Sequence, residues 1–179
     1  GKYFVVSSHR EENINSEKNF KGLINSLNRI SETYGYPVIV STHPRTRKMI
    51  DSKSVEINPL VRLLKPLGFS DYNALQMRSF ATLSDSGTIS EESTMLNFPA
   101  LNLREAHERP EAMEETAVMM VGMSPDRIIN GLQHLELEDQ RNNKQYRLTR
   151  DYSMPNVSDK VVRIIISYVD YVKRVVWGE

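Results

Sequence analysis

Residues 80–92 read Phe80-Ala81-Thr82-Leu83-Ser84-Asp85-Ser86-Gly87-Thr88-Ile89-Ser90-Glu91-Glu92. An apolar run suited to a buried strand, 80–83, passes into a polar turn containing a glycine, and the turn opens onto a helix start. Strand, tight turn and helix in direct succession make half of a parallel β-α-β unit. The same alternation continues on both sides. Short apolar runs at 3–7, 38–40, 61–64, 100–103 and 118–121 are separated by polar or helix-period segments. Ser16 opens a helix whose Phe20, Leu23, Ile24, Leu27 and Ile30 recur at the spacing of one buried face, and Pro37 closes the turn after it. Ser124 precedes Pro125 as a capping residue before a first-turn proline, and Ile128, Ile129, Leu132 and Leu135 extend that helix as an apolar stripe. The pattern predicts an α/β fold, a parallel sheet with helices on both faces.

Near the C-terminus the chain turns polar over 137–156, where 140–145 hold nothing to bury, so an extended connection is expected. A last helix over 157–176 follows. Its Val161, Ile164, Ile165, Tyr168, Val172, Val175 and Val176 give more apolar surface than a small domain needs on one helix. That surface packs either on this domain or on residues outside this chain. Gly1-Lys2 lead straight into the first strand without an initiator Met, which predicts a single domain over 1–179 taken from a longer protein.

Length and composition narrow the function. A chain of 179 residues can bury a real core. Its 23 basic and 23 acidic residues cancel, leaving no net field to draw it to nucleic acid or an anionic membrane, so a charged ligand must be held locally. The absence of cysteine excludes disulfides, thiolate metal sites and a cysteine nucleophile, and a cytoplasmic address is expected. No apolar run approaches the roughly 20 residues of a membrane-spanning helix.

Three polar clusters follow strands, where an open parallel sheet places its ligands. In 84–92 the helix start offers unpaired N–H groups and positive partial charge to an anion such as a diphosphate. Gly87 permits close approach, Ser86 and Thr88 add hydroxyls, and Glu92 is placed to accept from both ribose hydroxyls. The plainer reading is a capping box, Thr88 as cap and Glu91 reaching back, which would leave Glu92 available. The second cluster, His9-Arg10-Glu11-Glu12-Asn13 after the first strand, suits either a phosphate contact with a proton-exchanging histidine or a local ion-pair network. It lacks the His-Glu-x-x-His pattern of a zinc site. The third, Arg104-Glu105-Ala106-His107-Glu108-Arg109-Pro110-Glu111, is either an anion clamp or a solvated loop. Thr42-His43-Pro44-Arg45 is a weaker version of the same arrangement, or a turn before a short helix. His134, beside an apolar stripe, reads as structural.

In this order and spacing, His9-Arg10-Glu11-Glu12-Asn13, Ser84 to Glu92, and Glu108-Arg109-Pro110-Glu111 followed by Gly122 resemble the non-hydrolysing UDP-N-acetylglucosamine 2-epimerase family. The resemblance implies a GT-B architecture of two Rossmann-like halves, of which this is the C-terminal, UDP-binding one. It further implies that Ser86, Gly87 and Thr88 bind the diphosphate, Glu92 the ribose and Arg109 a phosphate, and that His9 acts beside the leaving group. Arg10 and His43 would contact a second, activating UDP-sugar. The uracil would lie near Leu67-Gly68-Phe69. No metal or redox cofactor is implied, the ligands are UDP and a UDP-N-acetyl-hexosamine, and the whole protein would be a homodimer. The C2 acid and base belong to the other half, so this chain alone is expected to bind nucleotide without turnover. Thr88 and Ser90 stand where glycine and glutamine are frequent, and with residues 64–72 they resemble the capsule and O-antigen branch that forms UDP-N-acetyl-L-fucosamine. A glycosyltransferase donor half or a non-catalytic nucleotide-binding module would share much of this pattern.

Overall fold

The computed structural model describes residues 1–53, 55–115, 118–138 and 146–179, and of Glu12 only the backbone. Six strands run β1 Phe4–Ser7, β2 Val38–Ser41, β3 Val61–Leu64, β4 Thr82–Ser84, β5 Ala100–Asn102 and β6 Met119–Met120. All neighbours pair in parallel, in the order β3-β2-β1-β4-β5-β6. The helices are α1 Glu11–Ile14, α2 Glu17–Tyr34, α3 Pro44–Lys53, α4 Phe69–Arg78, α5 Ile89–Leu96, α6 Pro110–Glu114, α7 Pro125–Glu138 and α8 Val157–Val172. Each strand end therefore feeds a helix, as the alternation in the sequence predicts.

Local chemistry explains the sharpest boundaries. Ser16 Oγ accepts from the Asn19 N–H and starts α2, while Gly35, at φ 64°, ends it in the left-handed region. Between them Phe20, Leu23, Ile24, Leu27 and Ile30 are buried, each worth about 1.5–3 kcal/mol against exposure. On α7, Ile128, Ile129, Leu132 and Leu135 are buried likewise. These two helices and the strand residues Phe4, Val6, Val38, Val40, Leu83 and Leu101 belong to one apolar core. Gly131 lets α7 sit close to the sheet: a β-carbon there would meet Leu101 and Val121 at 3.1 Å.

Two strands are displaced from the sequence expectation. β4 begins at Thr82 because Phe80 is occupied elsewhere, its N–H donating to Tyr3 and its ring packing on Phe4 and Tyr34. β6 is reduced to two residues at the sheet edge.

The chain divides into two compact units, Gly1–Thr149 and Arg150–Glu179. The first holds the sheet, the core and every residue of the three polar clusters. In the second, α8 passes into a π-helical turn, Lys173–Trp177, and most of its large apolar residues are exposed. The polar segment expected at 140–145 lies outside the described residues. Among the described residues no helix is long and apolar enough to cross a membrane.

Candidate nucleotide site

The strand order changes direction between β1 and β4. In an open parallel sheet the crevice beyond the carboxyl ends of two such strands is the place for a ligand, because the loops leaving them run to opposite sides. β1 pairs with β4, Ser7 against Ser84, so residues 8–10 and 85–88 leave the sheet side by side.

Asp85 joins them. It is fully buried, and its carboxylate accepts from Ser8 Oγ at 2.9 Å, from the N–H groups of His9 and Arg10 at 3.0 Å each, and from Asn13 Nδ2 at 3.0 Å. A buried charge is tolerated when its lone pairs are this fully used. The same bonds satisfy the two amides just before α1, so Asp85, at the end of β4, builds the loop that follows β1. His9, half-exposed, turns its Nδ1 toward Asp85 Oδ1 at 3.6 Å.

Beyond Asp85 the turn is fastened by its own hydroxyls. The Ser86 N–H donates to Ser84 Oγ at 3.1 Å, the Thr88 N–H donates to Ser86 Oγ at 3.3 Å, and the two hydroxyls of Ser86 and Thr88 lie 2.9 Å apart. The expected capping box does not form. Thr88 occupies the cap position with helical dihedrals and makes no side-chain cap bond. Its hydroxyl donates instead to Glu92 Oε1 at 2.7 Å, and Gln76 Nε2 donates to Glu92 Oε2 at 2.9 Å. Glu91 turns to the third loop, where Arg109 Nε donates to its Oε1 at 2.8 Å. Glu92 is thus a held carboxylate, although each of its oxygens has a further lone pair for a ligand hydroxyl.

The third loop closes over the glycine. A β-carbon on Gly87 would stand 3.2 Å from Glu108 Oε2 and 3.7 Å from Arg109 Nη2. Arg10 meets Glu108 through two parallel bonds of 2.9 and 2.7 Å, and the buried Arg104 meets it at 2.8 Å. Hydrogen bonds from Arg10 and then Arg104 hold the Glu108 carboxyl at about 2, far below its ordinary 4.5. Of the local ion-pair reading, Arg10 pairs instead with Glu108 and Glu11 with Arg45, while the side chain of Glu12 lies outside the described residues.

The structure therefore brings His9, Arg10, Ser86, Gly87, Thr88, Glu92 and Arg109 together. His43 stands at the start of α3, its Nδ1 accepting from the Arg45 N–H at 3.3 Å, and that helix touches α1 through the Arg45–Glu11 pair. Beside it a cavity of about 710 Å³ is lined by Thr42, Lys48, Leu64, Lys65 and Pro66 among others. Phe69 is the first residue of α4 and is 83% exposed. Its helix reaches the cluster later, at Gln76 and at Tyr72, whose phenol is pushed up to about 12 by burial and by the charges of Glu92 and Asp85. Among the described residues no group of three His, Asp or Glu is placed to hold a metal ion.

Residues 1–166 match the UDP-N-acetylglucosamine 2-epimerase family. The chain belongs to that family. It is 33% identical over 133 residues to a UDP-N-acetylglucosamine 2-epimerase of Methanococcus maripaludis, covering 72% of this chain and 36% of the relative. The solved UDP-N-acetylglucosamine 2-epimerase of Rickettsia bellii superposes with a TM-score of 0.88 at 42% identity, over 99% of this chain and 47% of that one. The Methanocaldococcus jannaschii epimerase, solved in complex with UDP-GlcNAc and UDP, superposes with a TM-score of 0.78 at 26% identity, over 92% and 45%. The chain thus spans less than half the length of these epimerases.

Sequence reasoning named most of this cluster but missed Asp85, Gln76, Tyr72 and the roles of Glu91 and Glu108. Asp85 and Glu108 stood inside quoted motifs without a function of their own. The partners of Asp85 lie 72–77 residues away, and Arg10, which meets Glu108, lies 98 away, separations that only the strand order reveals.

Proposed function

We propose that this chain is the UDP-binding half of an epimerase that interconverts UDP-N-acetylglucosamine and UDP-N-acetylmannosamine, the C2 acid and base coming from residues outside it. The meeting of three loops at the β1/β4 crevice, Glu108 and Arg109 over Gly87 and Arg10 on Glu108, carries this reading. In the reaction the C1–O bond breaks with its electron pair leaving on UDP, while C2 gives up its proton and a glycal results. UDP then adds back at C1 as a proton returns to the opposite face of C2.

Charge grows on the diphosphate as it leaves, and donors fixed beforehand stabilise it without reorganising. Ser86, Thr88 and the amides at the start of α5 suit that task, with Arg109 above Gly87 and His9 at the neighbouring strand end. Glu92, oriented by Thr88 and Gln76, takes the ribose, and the uracil lies on the side of Phe69. Arg10 and His43 face a second UDP-sugar that activates the enzyme. The apolar residues of α8 pack on the N-terminal domain that lies outside this chain, and the whole protein is a cytoplasmic homodimer that supplies cell-envelope polysaccharide. Thr88, whose hydroxyl holds Glu92, favours as second reading the branch that inverts C2 of a UDP-linked 6-deoxy-talosamine to give UDP-N-acetyl-L-fucosamine.

Calorimetric titration of UDP into the chain tests the nucleotide assignment. Saturable binding, tighter than that of UMP and weakened by both Glu92→Gln and Arg109→Ala, is the expected result. No heat of binding at millimolar UDP would overturn it.

A further inference from the structure

We infer that Glu91 is the positioning residue for Arg109, a role that rests on reading the Ser86–Thr88 turn as the diphosphate site. Glu91 and Glu92 are adjacent on α5, so their side chains leave the helix about 100° apart. The structure gives them different work. Glu92 faces α4, where Gln76 meets it, and Glu91 faces the loop after β5, where Arg109 meets it.

The contact from Arg109 to Glu91 is made through Nε, at 2.8 Å. A guanidinium is planar with its donors in a rigid fork, so fixing Nε and the stem also fixes where the Nη groups go. Here they go over the turn: Nη2 and Cζ lie 3.7 and 3.8 Å from the point a Gly87 β-carbon would occupy. Glu111 Oε1, 4.0 Å from Nε, lies near the same nitrogen. Both carboxylates thus approach at Nε, and the Nη2 end is the one presented above Gly87. Arg109 itself is the residue before the first turn of α6, at φ −128° and ψ 76°, and is followed by Pro110, so its backbone is set before its side chain is. A long arginine side chain otherwise samples many rotamers, and a phosphate would have to order it on binding. Glu91 does that ordering in advance. Glu108 shares the space over Gly87, but its charge is matched by Arg10 and Arg104 rather than by Arg109.

The test is a double-mutant cycle on the 179-residue chain, with UDP affinity read by calorimetry and folding by thermal unfolding. Glu91→Ala should weaken UDP binding about tenfold without loss of fold, and Glu91→Gln should recover most of it, because an amide oxygen still accepts from Nε. Glu91→Ala added to Arg109→Ala should cost nothing further. A double variant weaker than Arg109→Ala by the full single-variant factor, or a glutamine variant as weak as the alanine one, would overturn the assignment. Arg109→Ala weakening UDP while Glu91→Ala leaves it unchanged removes this role and leaves the diphosphate site standing. Absence of UDP binding by the unsubstituted chain removes both.

Discussion

The carboxylate of Glu108 lies 3.2 Å from the point where a β-carbon on Gly87 would stand, and two arginines pin it there. A methyl group at residue 87 must therefore push against a carboxylate that cannot swing away without breaking the paired bonds from Arg10. Gly87→Ala is expected to weaken UDP binding about tenfold, or about 1.4 kcal/mol. Gly87 has no left-handed φ to protect, so the thermal midpoint should change little. Calorimetry and a melting curve on the same sample check both, and an unaltered affinity would remove the glycine from the site.

Glu108 also makes stability depend on acid. Its carboxyl is lowered from the ordinary 4.5 to about 2 by the hydrogen bonds of Arg10 and Arg104. A group depressed on folding contributes fully above its unfolded value and loses the contribution as pH falls toward its folded one. The melting midpoint of the chain should accordingly fall more between pH 4.5 and 2 than that of Glu108→Gln, when each is referred to its own value at pH 7. Equal slopes would show that the three-residue network adds nothing to folding.

Asp85 is the costliest residue of the site to remove. Asp85→Ala strands two backbone N–H groups, the Ser8 hydroxyl and the Asn13 amide in a buried place. Each bond to a charged acceptor is worth about 1.5–3 kcal/mol, and the losses overlap because the donors share one loop. A destabilisation of about 3 kcal/mol or more in urea unfolding is expected, with amide exchange at His9 and Arg10 accelerated. A loss under about 1 kcal/mol would mean that water takes over the carboxylate's role.

Much of the fold is legible in the sequence because it is written in apolar spacing. The buried faces of α2 and α7 and the existence of all six strands follow from that spacing and a few capping residues, although β4 and β6 shift or shorten. The strand order does not, since β1 meets β4 only through a crossover of about 75 residues that no local pattern encodes. The site divides the same way. His9, the 86–88 turn, Glu92 and Arg109 could be picked out because polar residues at strand ends are rare enough to notice. The partners could not. Thr88-Ile89-Ser90-Glu91 has the spacing of a capping box, yet Glu91 goes to an arginine 18 residues away because the third loop arrives above it. Helix α4 carries no such signal: among its ten residues Gln76 alone is buried, so it has no apolar stripe, and Gln76 ties it to Glu92 at the site.

Residues 150–179 should be dispensable for nucleotide binding. They form a unit of their own, whereas the apolar core of the first unit is built from residues between Phe4 and Leu135, and the side-chain contacts that join the three loops lie between Ser8 and Glu111. A chain ending at Thr149 is therefore expected to melt within about 3 °C of the longer one, since a shift of 1 kcal/mol moves a domain of this size by about 2–4 °C. It should bind UDP with the same affinity. Solubility should improve as well, because α8 carries exposed Ile164, Ile165, Ile166 and Val169 and the turn after it exposed Trp177, a surface that invites association. A shortened chain that fails to fold would instead place the last helix within the core of this domain.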